Sequence, residues 1–306
     1  MRRSRWTRLI AFAEVRRVAT RDHWAEWILS RRFGGDAAEA EASLEGLKKV
    51  RDRVLDRAEL KPGETLLDVG CGDGLIAFGA LDRGAGRVIF SDISDDLLDV
   101  CRELAGDDPR CEFVNAAAED LNAIPDESVD VVTTRSVIIY VDDKRRVFAE
   151  FLRVLEPGGR LSMFEPINRF SDFKREGQFL GIEMGELWPL AKRVQDGYAE
   201  MAGDESTMVD FDERDLLEFA HGAGFANVDV ELEAGIQRGR LWGREPPPLE
   251  QLLNTAPNPN APTFSEVLEA ELDTEERERF LAHIRPRYEA GEMTNRHAVA
   301  YLRGIK

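Results

Sequence analysis

At 306 residues the chain is long enough for one large domain, or for a core with sizeable insertions. Its 43% hydrophobic and 33% charged residues suit a soluble globular protein, and a formal net charge of −18 argues against a polyanionic partner such as nucleic acid. No apolar run is long enough for a bilayer and no secretion signal is evident, so a cytoplasmic protein without a membrane partner is expected.

Residues 5–32 read as helical, with one apolar stripe of Trp6, Leu9, Ile10 and Ala13 and another of Trp24, Trp27 and Ile28. The first 33 residues hold nine arginines against three acids, so the acidic excess lies in the remainder. A second helix is expected over 37–60, ending before "KPGE". Strands and helices then alternate. Strands are expected at 65–69, 87–91, 111–114, 129–134 and 160–165, with helices near 74–83, 95–105 and 142–155. A further helix at 212–222 and strand at 226–233 follow. This alternation predicts an α/β fold, a Rossmann-like and mostly parallel sheet with helices on both faces. Residues 166–211 and 234–295 break the rhythm and read as helical insertions. The closing "HAVAYLRGI" has strand composition and is expected to return as an edge strand. The expected organisation is a helical lid or cap (1–58), a ligand-binding core (59–165), an insertion (166–211), a core helix and strand (212–233), a second insertion (234–295) and a last strand (296–306).

The stretch "TLLDVGCGDGLIAFGAL" carries the chemistry. Gly70, Gly72 and Gly74 stand where a strand meets a helix, at the carboxyl end of a parallel sheet, where such folds bind ligands. Glycines there permit unusual φ values and let a ligand approach backbone N–H groups. A dinucleotide turn, G-x-G-x-x-G, needs its third glycine where this chain has Leu75. Cys71, Cys101 and Cys111 lack metal-ligand spacing and the four histidines are scattered, so no metal site is expected. Cys71 fits the turn as a small residue, and Cys101 and Cys111 are expected away from the catalytic edge.

The spacing G-x-G-x-G after Asp68 resembles motif I of the class I S-adenosylmethionine-dependent methyltransferases, here LLDVGCGDG. "VIFSDIS", "NAAAEDLNAIPDESVDVV" and "FLRVLEPGGRLSMFE" follow in the order that this family shows. The resemblance covers about residues 60–165 and implies S-adenosyl-L-methionine as cofactor, a seven-stranded sheet, and specific roles. Backbone at Gly70, Cys71, Gly72 and Gly74 should line the methionyl part, with Asp68 near its ammonium. Asp92 should bind the ribose hydroxyls, Ile93 should cover the adenine, and Ala118 and Glu119 should meet its edge. Ala117 stands where the family commonly has an acid, and Glu119 is the nearby acid that can take its place. Arg135 should touch the cofactor carboxylate or an acidic acceptor.

The (Asn/Asp)-Pro-Pro-aromatic motif of enzymes that methylate nucleobases or glutamine is missing after strand four, where "TTRSVIIYV" stands. The acceptor is therefore expected to be a small molecule methylated on O, N or S, with Tyr140 and Glu165 as catalytic candidates at the sheet edge and Asn168 and Arg169 just beyond. A salt bridge from Glu165 to Arg135 or Arg169 is its structural alternative. Residues 20–34, with Trp24 and Trp27, are expected to close over the cofactor cleft, the alternatives being a permanently docked helix or a homodimer contact. A nicotinamide-dependent oxidoreductase and a non-catalytic binding protein of the same fold remain the competing readings.

Overall fold

In the computed structural model, residues 22–32, 37–171, 176–241 and 244–306 are described; the helix expected over residues 5–21 lies outside them. Strands β1 (Thr65–Val69), β2 (Arg87–Asp92), β3 (Cys111–Asn115), β4 (Val129–Arg135) and β5 (Leu155–Pro166) are parallel. A two-residue hairpin, β6 (Gln178–Phe179) with β7 (Ile182–Glu183), stands apart. Strands β8 (Asn227–Arg238) and β9 (Thr294–Ile305) complete a seven-stranded sheet in the order β3-β2-β1-β4-β5-β9-β8. The sheet is mostly parallel, with β9 antiparallel to both its neighbours.

The last strand is not at the edge. β9 inserts between β5 and β8, and β8 is the outermost strand. The residues explain the exchange. "AVAYL" in β9 is a continuous buried run, which suits a strand covered on both faces. β8 alternates as "NVDVELE", with Leu232 and Ile236 exposed. Its acids Asp229, Glu231 and Glu233 pair with Arg53 and Arg57 of the helix Ala37–Arg57. These pairs are exposed, so they tie the edge down at little net gain in stability.

Both faces of the sheet are covered. On one, Val54, Leu55, Phe78 and Phe90 join the helices Ala37–Arg57 and Leu75–Asp82 to β1 and β2. On the other, Phe148, Phe151 and Leu216 join the helices Lys144–Val154 and Glu213–Ala223 to β4, β5 and β9. Side-chain caps set the helix starts: Ser94 caps Asp95–Ala105, Asp143 caps Lys144–Val154, and Asp212 makes a capping box with Asp215.

The two insertions share a third apolar cluster. Phe179, Ile182 and Val194 of the first meet Leu253, Val267, Phe280 and Ile284 of the second, and the rings of Phe179 and Phe280 cross at 73° with centroids 5.1 Å apart. Neither insertion buries its apolar face alone, so they form one body, linked to the start of β9 where Thr294 N donates to the Leu180 carbonyl. Phe280→Ala should therefore destabilise by about 3–5 kcal/mol, the usual cost of emptying a fully buried phenylalanine site. Denaturant unfolding would measure it; a loss under about 1 kcal/mol would mean the insertions pack independently.

Candidate active site

The glycine turn follows β1 with φ of +65°, +54° and +79° at Gly70, Gly72 and Gly74. Such values favour glycine, and space demands it at two of the three positions. A Cβ on Gly70 would lie 2.2 Å from Val137 Cγ2, and one on Gly74 would lie 2.6 Å from the Phe78 ring. At Gly72 the neighbour is Ile28, 3.3 Å from where a Cβ would be. The bare backbone thus admits the chain's own covering segments.

Asp92, at the end of β2, fixes this turn. Its Oδ2 accepts from Gly72 N at 2.8 Å and its Oδ1 from Ser94 N at 3.0 Å. Burial raises its pKa, the two backbone donors oppose that rise, and the nearby Asp22 adds to it. Ile93 is half exposed, an apolar side chain at 50%, and Asn115 Nδ2 donates to its carbonyl at 3.0 Å. Asp68 is turned beneath the glycines, with Oδ1 accepting from Thr133 Oγ1 at 2.9 Å and Oδ2 from Ala77 N at 3.1 Å. Both oxygens are thus engaged in holding the first turn of the helix Leu75–Asp82. Burial pushes its pKa up to about 7. Ala118 is buried in the core past β3, and Glu119 beside it is half-buried, its carbonyl accepting from Arg146 Nε at 2.7 Å.

Cys101 corrects one expectation. It does not lie away from the catalytic edge: its thiol donates to the Gly72 carbonyl at 3.3 Å and hydrogen-bonds the Cys71 thiol. Glycines without side chains let a residue two turns into the helix Asp95–Ala105 reach the turn from below. Burial drives the Cys71 thiol well above its ordinary pKa, so it stays protonated and unreactive. Cys111 does lie at the start of β3. Among the described residues, no group of three or more His, Cys, Asp or Glu could hold a metal.

Past β4 the chain bends at Ser136, whose φ is +57°, into a short 3₁₀ turn, Ile138–Tyr140. Glu165 holds this bend. It is fully buried, and its Oε1 accepts from Val137 N at 2.9 Å and Ile138 N at 3.1 Å. Its Oε2 has no hydrogen-bond partner, and no salt bridge joins it to Arg135 or Arg169 among the described residues. Burial lifts its pKa to about 7, against the pull of those N–H groups and of Arg135. Glu165 thereby seats Val137 over Gly70. Tyr140 is half-buried, its hydroxyl pKa raised by desolvation, and its ring meets Trp24 edge-on at 4.9 Å. Arg135 is half-buried and forms no side-chain ion pair among the described residues, and its charge reaches Asp68, Glu165, Tyr140 and Arg32.

Residues 22–32 lie across this edge. At one end Ser94 Oγ donates to Asp22 Oδ2 at 2.6 Å, and Asp22 N donates to Asp96 Oδ2 at 2.7 Å. At the other, Trp27 Nε1 donates to the Ala256 carbonyl at 2.9 Å, Ala256 N to the Arg31 carbonyl at 3.1 Å, and Arg31 pairs with Glu266. The segment therefore straps the core to the second insertion, with Ile28 over Gly72 and Trp24 against Tyr140 between its ends. A π-helical stretch, Trp27–Arg31, shapes it. Arg32, at its end, is held down to about 10 by burial and by Arg135, with Asp73 and Tyr140 opposing.

Comparison with known proteins fits this geometry. Residues 67–163 match a family model described as a methyltransferase domain. The ubiquinone/menaquinone biosynthesis C-methyltransferase UbiE of Acidiphilium cryptum is 39% identical over 58% of this chain and 72% of its own length. The chain belongs to the class I S-adenosylmethionine-dependent methyltransferases. An uncharacterized 37.1 kDa transposon protein of Streptomyces fradiae is 35% identical over 41% of this chain, which spans only 36% of that protein. The YcgJ protein of Bacillus subtilis shares the fold at a TM-score of 0.51, with 16% identity over 84% of this chain and 97% of its own.

S-adenosylmethionine is the family's cofactor, and the residues present fit it. The turn's glycines bring no side chain to the edge, Asp92 stands beside it with one lone pair on each oxygen beyond its backbone bonds, and the exposed Ile93 offers an apolar face. Asp73 adds a buried Oδ1 without a partner. Several contributors were not evident from the sequence: Val137, Asn115, and the Asp22–Ser94 bond that anchors the strap. Only Ser94 carried a signal, as a helix N-cap.

Two outcomes follow from these contacts. Asp92→Ala should weaken S-adenosylhomocysteine binding about tenfold or more, since one hydrogen bond to a charged group is worth roughly 1.5–3 kcal/mol. Calorimetry reads the change, and undiminished affinity would remove Asp92 from the site. The second outcome concerns pH. Folded Glu165 keeps its proton to about pH 7, whereas the unfolded side chain releases it near 4.5. Its contribution to stability is thus full below about pH 4.5 and lost as pH rises to about 7, on the order of 3 kcal/mol in all. Glu165→Gln should flatten the fall in unfolding free energy across that window. Parallel slopes for parent and variant would show that Glu165 ionises normally.

Proposed function

We propose that this methyltransferase acts on O, N or S of a compact acceptor held between the glycine edge and the joined insertions. The strap carries the reading: its hydrogen bonds to Ser94 and Asp96 on one side and to Ala256 on the other roof the edge where methyl transfer takes place in this family. A roof of the chain's own residues leaves room for a small molecule better than for a duplex or a folded protein. The acidic surface disfavours polyanions for a separate reason. The relative from Acidiphilium cryptum is named a C-methyltransferase, so carbon stands beside O, N and S as the atom to be tested.

The cofactor supplies a methyl group already activated on a sulfonium, so the protein's contribution is alignment and exclusion of water. In this reading Tyr140 borders the acceptor, with Trp24 of the strap against its ring. Glu165 acts through the bend it holds, because its buried carboxylate is bonded to main-chain N–H groups. Arg135 faces the carboxylate of the cofactor or an anionic part of the acceptor. The insertions, reached through Ala256 and Glu266, supply recognition.

A cell extract divided by ultrafiltration into small molecules and macromolecules tests this directly. With the full chain and methyl-labelled cofactor, label should appear in the small-molecule fraction together with S-adenosylhomocysteine. Label confined to protein or nucleic acid would overturn the reading, and cofactor binding without turnover on either fraction would favour a binding protein.

A further inference from the structure

A buried polar contact joins the two insertions close to the core. Glu205 follows the helix Trp188–Ala202 of the first insertion, and Asn258 belongs to the second. Asn258 is 2% exposed and donates through Nδ2 to Glu205 Oε1 at 2.7 Å. Its own Oδ1 accepts from Asn260 N at 2.9 Å and Ala261 N at 2.8 Å, so the amide is fixed in one orientation. The next residues, Ser206–Met208, form a 3₁₀ turn that rests against Ile138–Tyr140. Glu205 is thus delivered to the edge by one insertion and oriented by the other.

Its surroundings are unusual for a half-buried carboxylate. The charge of Glu205 reaches two tyrosines, raising the hydroxyl pKa of both Tyr140 and Tyr198, after the larger effect of desolvation. No lysine, arginine or histidine forms an ion pair with it among the described residues, whereas Glu266 pairs with Arg31, Glu250 with Arg285 and Glu276 with Arg193. The neighbouring Asp210 pairs with the buried Lys144. Glu165 also lies near Tyr140, but it is fully buried and its Oε1 holds the bend. The carboxylate free to meet a ligand beside Tyr140 is that of Glu205.

We propose that Glu205 is the acceptor-binding carboxylate and that the acceptor carries a basic amine. A carboxylate without an ion-pair partner, near the tyrosines Tyr140 and Tyr198, suits an ammonium group, which gains from a charge-assisted hydrogen bond and from the ring faces. Arg32, beside Asp73 of the glycine turn, and Arg135, at the end of β4, make the cofactor side of Tyr140 the positive one. The amine therefore lies on the insertion side. This assignment rests on the acceptor site proposed above and names the chemistry it recognises.

Benzylammonium and its uncharged isostere ethylbenzene test the site without turnover. Binding is followed by ligand-observed magnetic resonance on the full chain saturated with S-adenosylhomocysteine. The parent should bind the cation at least about tenfold more tightly than the isostere, an advantage of about 1.4 kcal/mol. Glu205→Gln, which keeps the acceptor that Asn258 needs, should abolish that preference while leaving S-adenosylhomocysteine affinity and the unfolding midpoint unchanged. Asn258→Ala should weaken it partly, by freeing the carboxylate. Equal binding of cation and isostere by the parent, no binding of the cation at all, or an undiminished preference in Glu205→Gln would each overturn the assignment. Loss of S-adenosylhomocysteine binding by the parent would instead strike at the cofactor site, so the two failures are distinguishable.

Discussion

Backbone N–H groups freed where parallel strands end must find acceptors, yet the acceptors must not fill the cleft they surround. Here three buried carboxylates meet that constraint. Asp92 takes the N–H groups of Gly72 and Ser94, Asp68 takes that of Ala77, and Glu165 takes those of Val137 and Ile138. None of the three forms a salt bridge among the described residues. Each instead fixes a piece of irregular main chain: the glycine turn, the start of the helix Leu75–Asp82, and the bend after β4. The arrangement costs desolvation, visible in the raised pKa of all three. In exchange it places the left-handed glycines and Val137 against one another without a side chain intruding into the turn.

That rigid edge is what the strap and the insertions are fitted to. Ile28 can lie over Gly72 only because the turn is bare, and Trp24 finds Tyr140 because Glu165 holds the 3₁₀ turn. The strap hydrogen-bonds both the core and the second insertion across this edge. A ligand reaching the glycine turn must therefore come to terms with residues 22–32. Whether they part for the cofactor or remain docked is a matter of protection against hydrogen exchange, with and without S-adenosylhomocysteine.

Much of this was legible in the sequence, and the parts that were not have identifiable reasons. The glycine turn, Asp92 and the positions of the strands through β5 along the chain depend on local patterns, and the chain alone carries them. The place of β9 was also written there, since "AVAYL" is a covered strand and "NVDVELE" a half-exposed one, but a late strand suggested an edge. Cys101 was misplaced because helix periodicity gives a face and not the depth to which a neighbouring turn descends. The burial of Glu165 depends on a bend at Ser136 that no residue type announces. The Glu205–Asn258 contact joins residues 53 positions apart in two irregular segments, and no periodicity reaches across them.

The boundary of the family match has a physical meaning. It ends at Met163, just before Glu165 and the start of the first insertion, and the relative from Acidiphilium cryptum covers little more than half of the chain. Displacement at a sulfonium carbon asks the protein for alignment more than for reactive groups, so the cofactor edge can serve many acceptors unchanged. What differs between enzymes is then the body that lies over that edge. In this chain that body is one apolar cluster built from two insertions, and its polar point of entry is the Glu205 carboxylate. An acceptor inferred from the matched region alone would be an inference from the part of the molecule that does not choose it.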